Sequence, residues 1–311
     1  MRDARSSGEP GAETSADAAG SPAAGVGVAE LGEQPRPATG VVVGVDGSVS
    51  ARGAVIWAAA EAARRGDALH LVEVLPPSTG PSEMGAGVPR GRARALLHRA
   101  RGEAHTVSPT TPVTMATVQG RVGPALVSYA VHAGLLVVGS NGPGGPIPLS
   151  VGRVLHEVTT HAECPAVVVP ATRAGSPAAA SSRPVLVAVD GTTAGELALA
   201  FAAETAHRLA VPLVALTTGK GRHRSRRGEE HELSTEEPAR YQERYPGLTI
   251  ESRDVTGRPE EYVLHAGRGA QLIVVSSLRP GAAAGSLVGW TRQLLFYSPC
   301  AVAVVSPRTR T

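Results

Sequence analysis

The chain states nearly the same sentence twice, and that repetition limits its fold more than any other feature. VVVGVDGS (41–48) returns as PVLVAVDGT (184–192), so that Asp190 follows Asp46 by 144 positions. Val55, Ala58, Ala59 and Ala62 recur at i, i+3, i+4 and i+7, which is one apolar face of a helix. Leu199, Ala202, Ala203 and Ala206 repeat that face at the same offset of 144. LHLVEVL (69–75) is matched by LVALT (213–217), LLVVGSNG (135–142) by LIVVSSLR (272–279), and HAECPAVVVP (161–170) by YSPCAVAVVS (297–306). The offset falls to 137 and then 136 over the last two pairs, so the second copy has the shorter middle. A period this long marks duplicated domains, since solenoid repeats run about 20–50 residues.

Within each copy the order reads strand, helix, strand, variable segment, strand, helix, strand, helix, strand. Such alternation implies right-handed βαβ units and a parallel sheet. The later strands are expected near 113–119, 135–139 and 166–169, then near 248–254, 271–275 and 301–305. The connections 76–105 and 218–245 are each expected to hold one helix after a mobile loop. Ser48 or Ser50 is placed to cap the first helix and Gly66 to end it. With 311 residues there is room for two ordinary domains. The apolar 42% is mostly Ala, Val and Leu, with aromatics at 3%, which suits strands buried on both faces.

The domains expected are 40–170 and 184–306, joined by a Pro/Ala/Ser linker at 171–183. Residues 1–39, without an aromatic and rich in Ala, Gly, Pro, Ser and Glu, read as a disordered tail. The tail holds no apolar run of a secretory signal, and no stretch of about 18 uncharged apolar residues occurs. Cys164 and Cys300 occupy equivalent places, which argues against a disulfide framework and for a reducing cytoplasm. A net charge of +3 attracts nucleic acid or membrane weakly, so neither is expected as a partner. The basic run 220–227 lacks interleaved aromatics and reads as a solvated loop. The ten histidines show no metal-binding spacing, so no metal site in the protein is expected.

Ligands of open parallel sheets bind at the carboxyl ends of the strands, near the point where strand order reverses. Three features of the first copy fall there: Asp46 after the first strand, Val74 at the end of the second, and the glycine-rich loop after the fourth, Gly139-Ser140-Asn141-Gly142 onward. Glycines let backbone N–H groups turn toward one point, and a helix start near Gly152 adds partial positive charge, together a phosphate cradle. Asp46 and Asp190 are equally able to bond their own turns. No nucleophile and base stand in a catalytic arrangement, so no enzymatic activity is expected.

Gly139-x2-Gly142-x9-Gly152, the VVVGVDGS start, the LLVVGSNG run and the HAECPAVVV ending resemble the ATP-binding class of universal stress proteins. The resemblance covers nearly all of 40–170 and, more loosely, 184–306, as in tandem members of that family. It implies an α/β fold of two doubly wound, Rossmann-like domains of the adenine nucleotide alpha hydrolase type. Each would have five parallel strands in the order 3-2-1-4-5. It implies adenine and ribose near Asp46 and Val74, and phosphates at Gly139, Ser140, Gly142 and Gly152. ATP or a related adenine nucleotide would be the ligand, with Mg on the phosphates. The last strands, 166–169 and 301–305, would pair antiparallel as in a dimer, here within one chain. The family pattern continues with Ser or Thr after the last glycine, whereas this chain has Arg153, and Leu155 two places on. Arg153 either replaces the lost hydroxyl as a phosphate partner, fills the site, or points into solvent. Pro143, Pro146 and Pro148 lack the N–H a cradle uses. The second copy has Ser276 and Arg279 for two glycines and Trp290 after Gly289, the pattern of a non-binding partner. The expected function is a nucleotide-responsive regulatory protein of the stress response; the alternative is a nucleotide-free scaffold.

Overall fold

A computed structural model describes residues 39–77, 83–142, 152–171, 182–190, 192–218, 236–255, 258–277 and 289–309. The tail before Thr39, most of the linker, the basic run 220–227, loop residues 143–151 and Arg279 lie outside them.

The first copy runs β1 (Val41–Gly44), α1 (Val49–Arg65), β2 (Leu69–Leu75), α2 (Glu83–Val107), β3 (Val113–Gln119), α3 (Val122–Tyr129), β4 (Leu135–Gly139), α4 (Arg153–His161) and β5 (Ala166–Val169). The second repeats it as β6 (Val185–Val189), α5 (Thr193–Leu209), β7 (Leu213–Thr218), α6 (Glu236–Arg244), β8 (Ile250–Val255), α7 (Pro259–Ala266), β9 (Leu272–Ser276), α8 (Gly289–Tyr297) and β10 (Ala301–Val305). The strands form one sheet ordered β3-β2-β1-β4-β5-β10-β9-β6-β7-β8, which is 3-2-1-4-5 in each half. Every neighbour pair is parallel except β5 with β10, where Val302 faces Val168 and Ala303 faces Val167. The two halves thus join edge to edge along their last strands. β8 and β9 begin a residue or two later than the sequence pattern suggests.

The Val-rich strands do not alternate with polar residues because helices cover both faces. One face, with Val41, Val43, Leu69 and Leu71, packs on α1 and α2 and, in the second half, on α5 and α6. The other, with Val42, Leu136 and Val138, packs on α3, α4, α7 and α8. Val55, Ala58, Ala59 and Ala62 are the buried stripe of α1, and Leu199, Ala202, Ala203 and Ala206 that of α5. Ser48 caps α1 by accepting from the Ala51 amide at 3.1 Å, and Gly66 ends it in the left-handed region at φ 71°. In α5 Thr192 caps through the Gly195 amide at 3.0 Å, but the left-handed end falls to Ala210 at φ 51°.

Helices α1 and α5 meet across the join. Glu61 of α1, only 2% exposed, bonds Arg65 and, from the other half, Arg208, both at 2.8 Å. Arg208 also bonds Glu204 at 3.0 Å, and Arg65 lies over the Phe201 ring at 5.9 Å. Phe201 and its counterpart Trp57 pack against the core, as their helix positions suggest.

Candidate functional site

Strand order reverses between β1 and β4: the chain leaves β1 toward β2 on one side, while β4 flanks β1 on the other. The turn after β1 and the turn after β4 therefore lie side by side at the carboxyl edge of the sheet.

Hydrogen bonds tie these turns together. Asn141 donates its amide to Ser50 Oγ at 3.1 Å, and its carbonyl accepts from Ser48 Oγ at 3.0 Å and from Ser50 Oγ. Gly139 permits this approach. A Cβ there would stand 2.6 Å from the Ala51 nitrogen and the Ser50 carbonyl carbon, well inside contact distance. Glycine at 139 thus serves the fit of β4 against the start of α1, a backbone reason distinct from phosphate binding. The amide of Ser140 donates to the Val169 carbonyl at 2.9 Å, extending the sheet. Two amides of the expected cradle, those of Ser140 and Asn141, are therefore already engaged within the protein.

Asp46 is exposed, and its Oδ1 accepts from the Ser48 amide at 2.9 Å. Its Oδ2 lies toward Gly142, 3.8 Å from where a Cβ at that exposed glycine would sit. Asp46 thus holds its own turn with one oxygen and presents the other to the neighbouring loop. Val74, opposite Val118 on β3, packs on the α3 and α4 side. Glu73, one residue before it, is on the α1 and α2 side, with a buried Oε2 that has no hydrogen-bond partner among the described residues. Burial pushes the Glu73 carboxyl above its ordinary range, Arg92 pulls it back, and Asp46 pushes it up again. Sequence reasoning passed over Glu73 and the Ser48–Ser50 clasp. A charge breaking the Leu69, Leu71 alternation was the readable signal for the first.

Gly152 is the N-cap of α4 and, having no side chain, gives the first amides of that helix no side-chain cap. Arg153 is exposed and lines an open cleft of about 330 Å³ with Pro76, Pro77, Arg121, Gly123 and Glu157. Among the described residues this cleft includes neither Asp46 nor Gly142. The structure therefore brings Asp46, Gly139, Ser140 and Gly142 together, and sets Arg153 on the flank between α3 and α4.

The second half differs where it matters. Asp190 Oδ1 accepts from both the amide and the hydroxyl of Thr192, at 3.2 and 2.6 Å, and stands 2.9 Å from the Cβ position of Gly195. Oδ1 of that carboxylate is thus engaged in its own turn, as Asp46 Oδ1 is, but with a hydroxyl as a second donor. Ser276 is buried at the end of β9. The two cysteines are buried and neither forms a disulfide; burial pushes the Cys164 thiol up to about 12. Among the described residues no cluster of three or more His, Cys, Asp or Glu could hold a metal, and no helix is long and apolar enough to cross a membrane.

The sequence profile of the Universal stress protein family matches residues 39–170 and again 181–306. A universal stress protein of Mycobacterium tuberculosis H37Rv is 32% identical over 278 residues, covering 82% of this chain and 92% of its own. Another from the same strain is 33% identical over 272 residues, covering 80% and 90%. Among solved structures, a universal stress protein from Archaeoglobus fulgidus has a TM-score of 0.67 at 13% identity, covering 86% of this chain and 96% of that one, which is a likeness of fold. On both the double profile match and the full-length relatives, the chain belongs to the Universal stress protein family and carries two family domains in tandem.

Proposed function

We propose that the first domain, 40–170, binds ATP or a related adenine nucleotide and that the chain acts as a cytoplasmic regulatory protein of the stress response, without rapid turnover. The second domain, 184–306, is its non-binding partner. The observation that carries this reading is the contrast between the two aspartates. Asp46 turns its second carboxylate oxygen toward Gly142, at the point of strand reversal, while Asp190 draws in the Thr192 hydroxyl as well as its amide. A carboxylate oxygen at that mouth accepts from an adenine amino group or a ribose hydroxyl, and Val74 supplies an apolar wall for the base. The phosphates then belong at Gly142 and the uncapped start of α4 at Gly152, with Gly139 and Ser140 shaping the loop. Arg153, on the flank between α3 and α4, would have to swing toward the phosphates to serve as an added cation. A divalent ion such as Mg would ride on the phosphates themselves.

The alternative, a nucleotide-free scaffold, draws support from the engaged amides of Ser140 and Asn141 and from the flank position of Arg153. Titration calorimetry with Mg-ATP separates the two. The expected result is measurable binding by wild type, a loss of roughly ten- to a hundredfold in Asp46→Ala, and no change in Asp190→Ala. No heat or affinity in wild type, with binding gained by Arg153→Ser, would establish the scaffold instead.

A further inference from the structure

From the charge laid out along α2, we infer that its outer face is a docking surface for the chain's own acidic segment, residues 9–33. This inference is independent of the nucleotide reading. Ala93, Leu97, Ala100 and Ala104 bury one side of α2 and so fix which side faces out. On the outward side Arg90, Arg94, His98, Arg101 and His105 follow one another at helical spacing, and Arg92 and Arg99 lie on the opposite flank of the exposed side. From Arg90 to His105 the stripe is about 22 Å long. Its acid, Glu103, is taken by Arg52 at 2.8 Å. Arg92 works on Glu73. Arg90, Arg94, Arg99 and Arg101 have no ion pair among the described residues.

The whole chain is nearly neutral, so a cationic stripe implies acids gathered elsewhere. Residues 9–33 hold Glu9, Glu13, Asp17, Glu30 and Glu33 with no Lys or Arg among them. The point of attachment suits the match. Thr39 enters β1 at the edge of the sheet where the Leu69 amide meets the Pro112 carbonyl, just before β3, and α2 ends at that same edge. Five residues separate Glu33 from Thr39, a reach of at most about 20 Å. Tethering raises the local concentration of the segment to the millimolar range, so that weak exposed ion pairs suffice. Nucleic acid fits less well, because α2 carries no Phe, Tyr or Trp on which bases could stack. A membrane fits less well because the apolar side of α2 is already buried in the core.

The test uses the full chain with spin labels at Gly20→Cys and Ala95→Cys. Ala95 is exposed on α2, and buried Cys164 and Cys300 stay unlabelled. Pulsed electron spin resonance should find a short inter-label population at about 0.05 M salt that falls two-fold or more by about 0.5 M. The same loss should follow Arg90, Arg94, Arg99 and Arg101→Gln, and equally Glu9, Glu13, Glu30 and Glu33→Gln with Asp17→Asn. Distances that ignore salt and both sets of variants overturn the inference. So does a loss seen with the arginine variants alone. An oligonucleotide or a phosphatidylglycerol vesicle should bind the acid-neutralised chain more tightly than wild type, because the segment competes. Equal binding by the two would also overturn it.

Discussion

At residue 139 a single methyl group separates two reasons for a glycine. Alanine there meets backbone atoms of Ser50 and Ala51 at 2.6 Å, and these belong to a capped helix start that moves as a unit. Gly139→Ala should therefore destabilise the protein by about 1–3 kcal/mol, read from denaturant unfolding. It should do so with or without nucleotide. Glu73 gives a prediction of the opposite sign. Its folded carboxyl titrates above the unfolded value, so below about pH 4 both states are protonated and burial costs little. As pH rises, the unfolded chain ionises first and the folded state loses stability until its own higher value is passed. Glu73→Gln should raise the melting temperature at pH 7 and raise it less at pH 4, as thermal scans at the two values would show. Neither point was legible beforehand. The glycine spacing suggested a ligand where the first cause is steric, because the approach of Ser50 depends on a strand distant in sequence.

Among the elements, the Val-rich strands and the i, i+3, i+4, i+7 stripes of α1 and α5 were legible because burial on a two-sided sheet leaves its period in the chain. The clasp between α1 and α5 was not. Glu61 stands on the α1 surface at a position where its counterpart in α5 is Thr205, and nothing local says that Arg208 closes over it. Buried pairs are costly to break from one side, since the remaining charges lose their partner. Glu61→Ala should cost about 3–5 kcal/mol and leave Arg65 and Arg208 facing each other, whereas Arg64→Ala, at the 3.7 Å outer contact, should cost under about 1 kcal/mol. Chemical unfolding of both variants checks the ratio. The Asp46 turn was half legible: Asp-Gly-Ser announced a turn, and the second carboxylate oxygen needed the neighbouring loop to acquire a meaning.

For the whole molecule the decisive contact is the antiparallel rung of Val168 and Val302, both buried. The repeat predicted two similar sheets, and the family resemblance supplied their pairing; periodicity alone carries no information about which edges meet. Val168→Asp would set an unpaired charge on that rung. Wild type should unfold in guanidinium as one cooperative step, and the variant as two, followed by far-ultraviolet circular dichroism. Because the rung lies inside one polypeptide, dilution does not part the halves, and neither half is obliged to fit a copy of itself. A homodimer must write every change into both subunits at once. Here Asp190 bonds the hydroxyl of its own Thr192 while Asp46 faces Gly142, so the fusion lets one half specialise while the other holds it in shape.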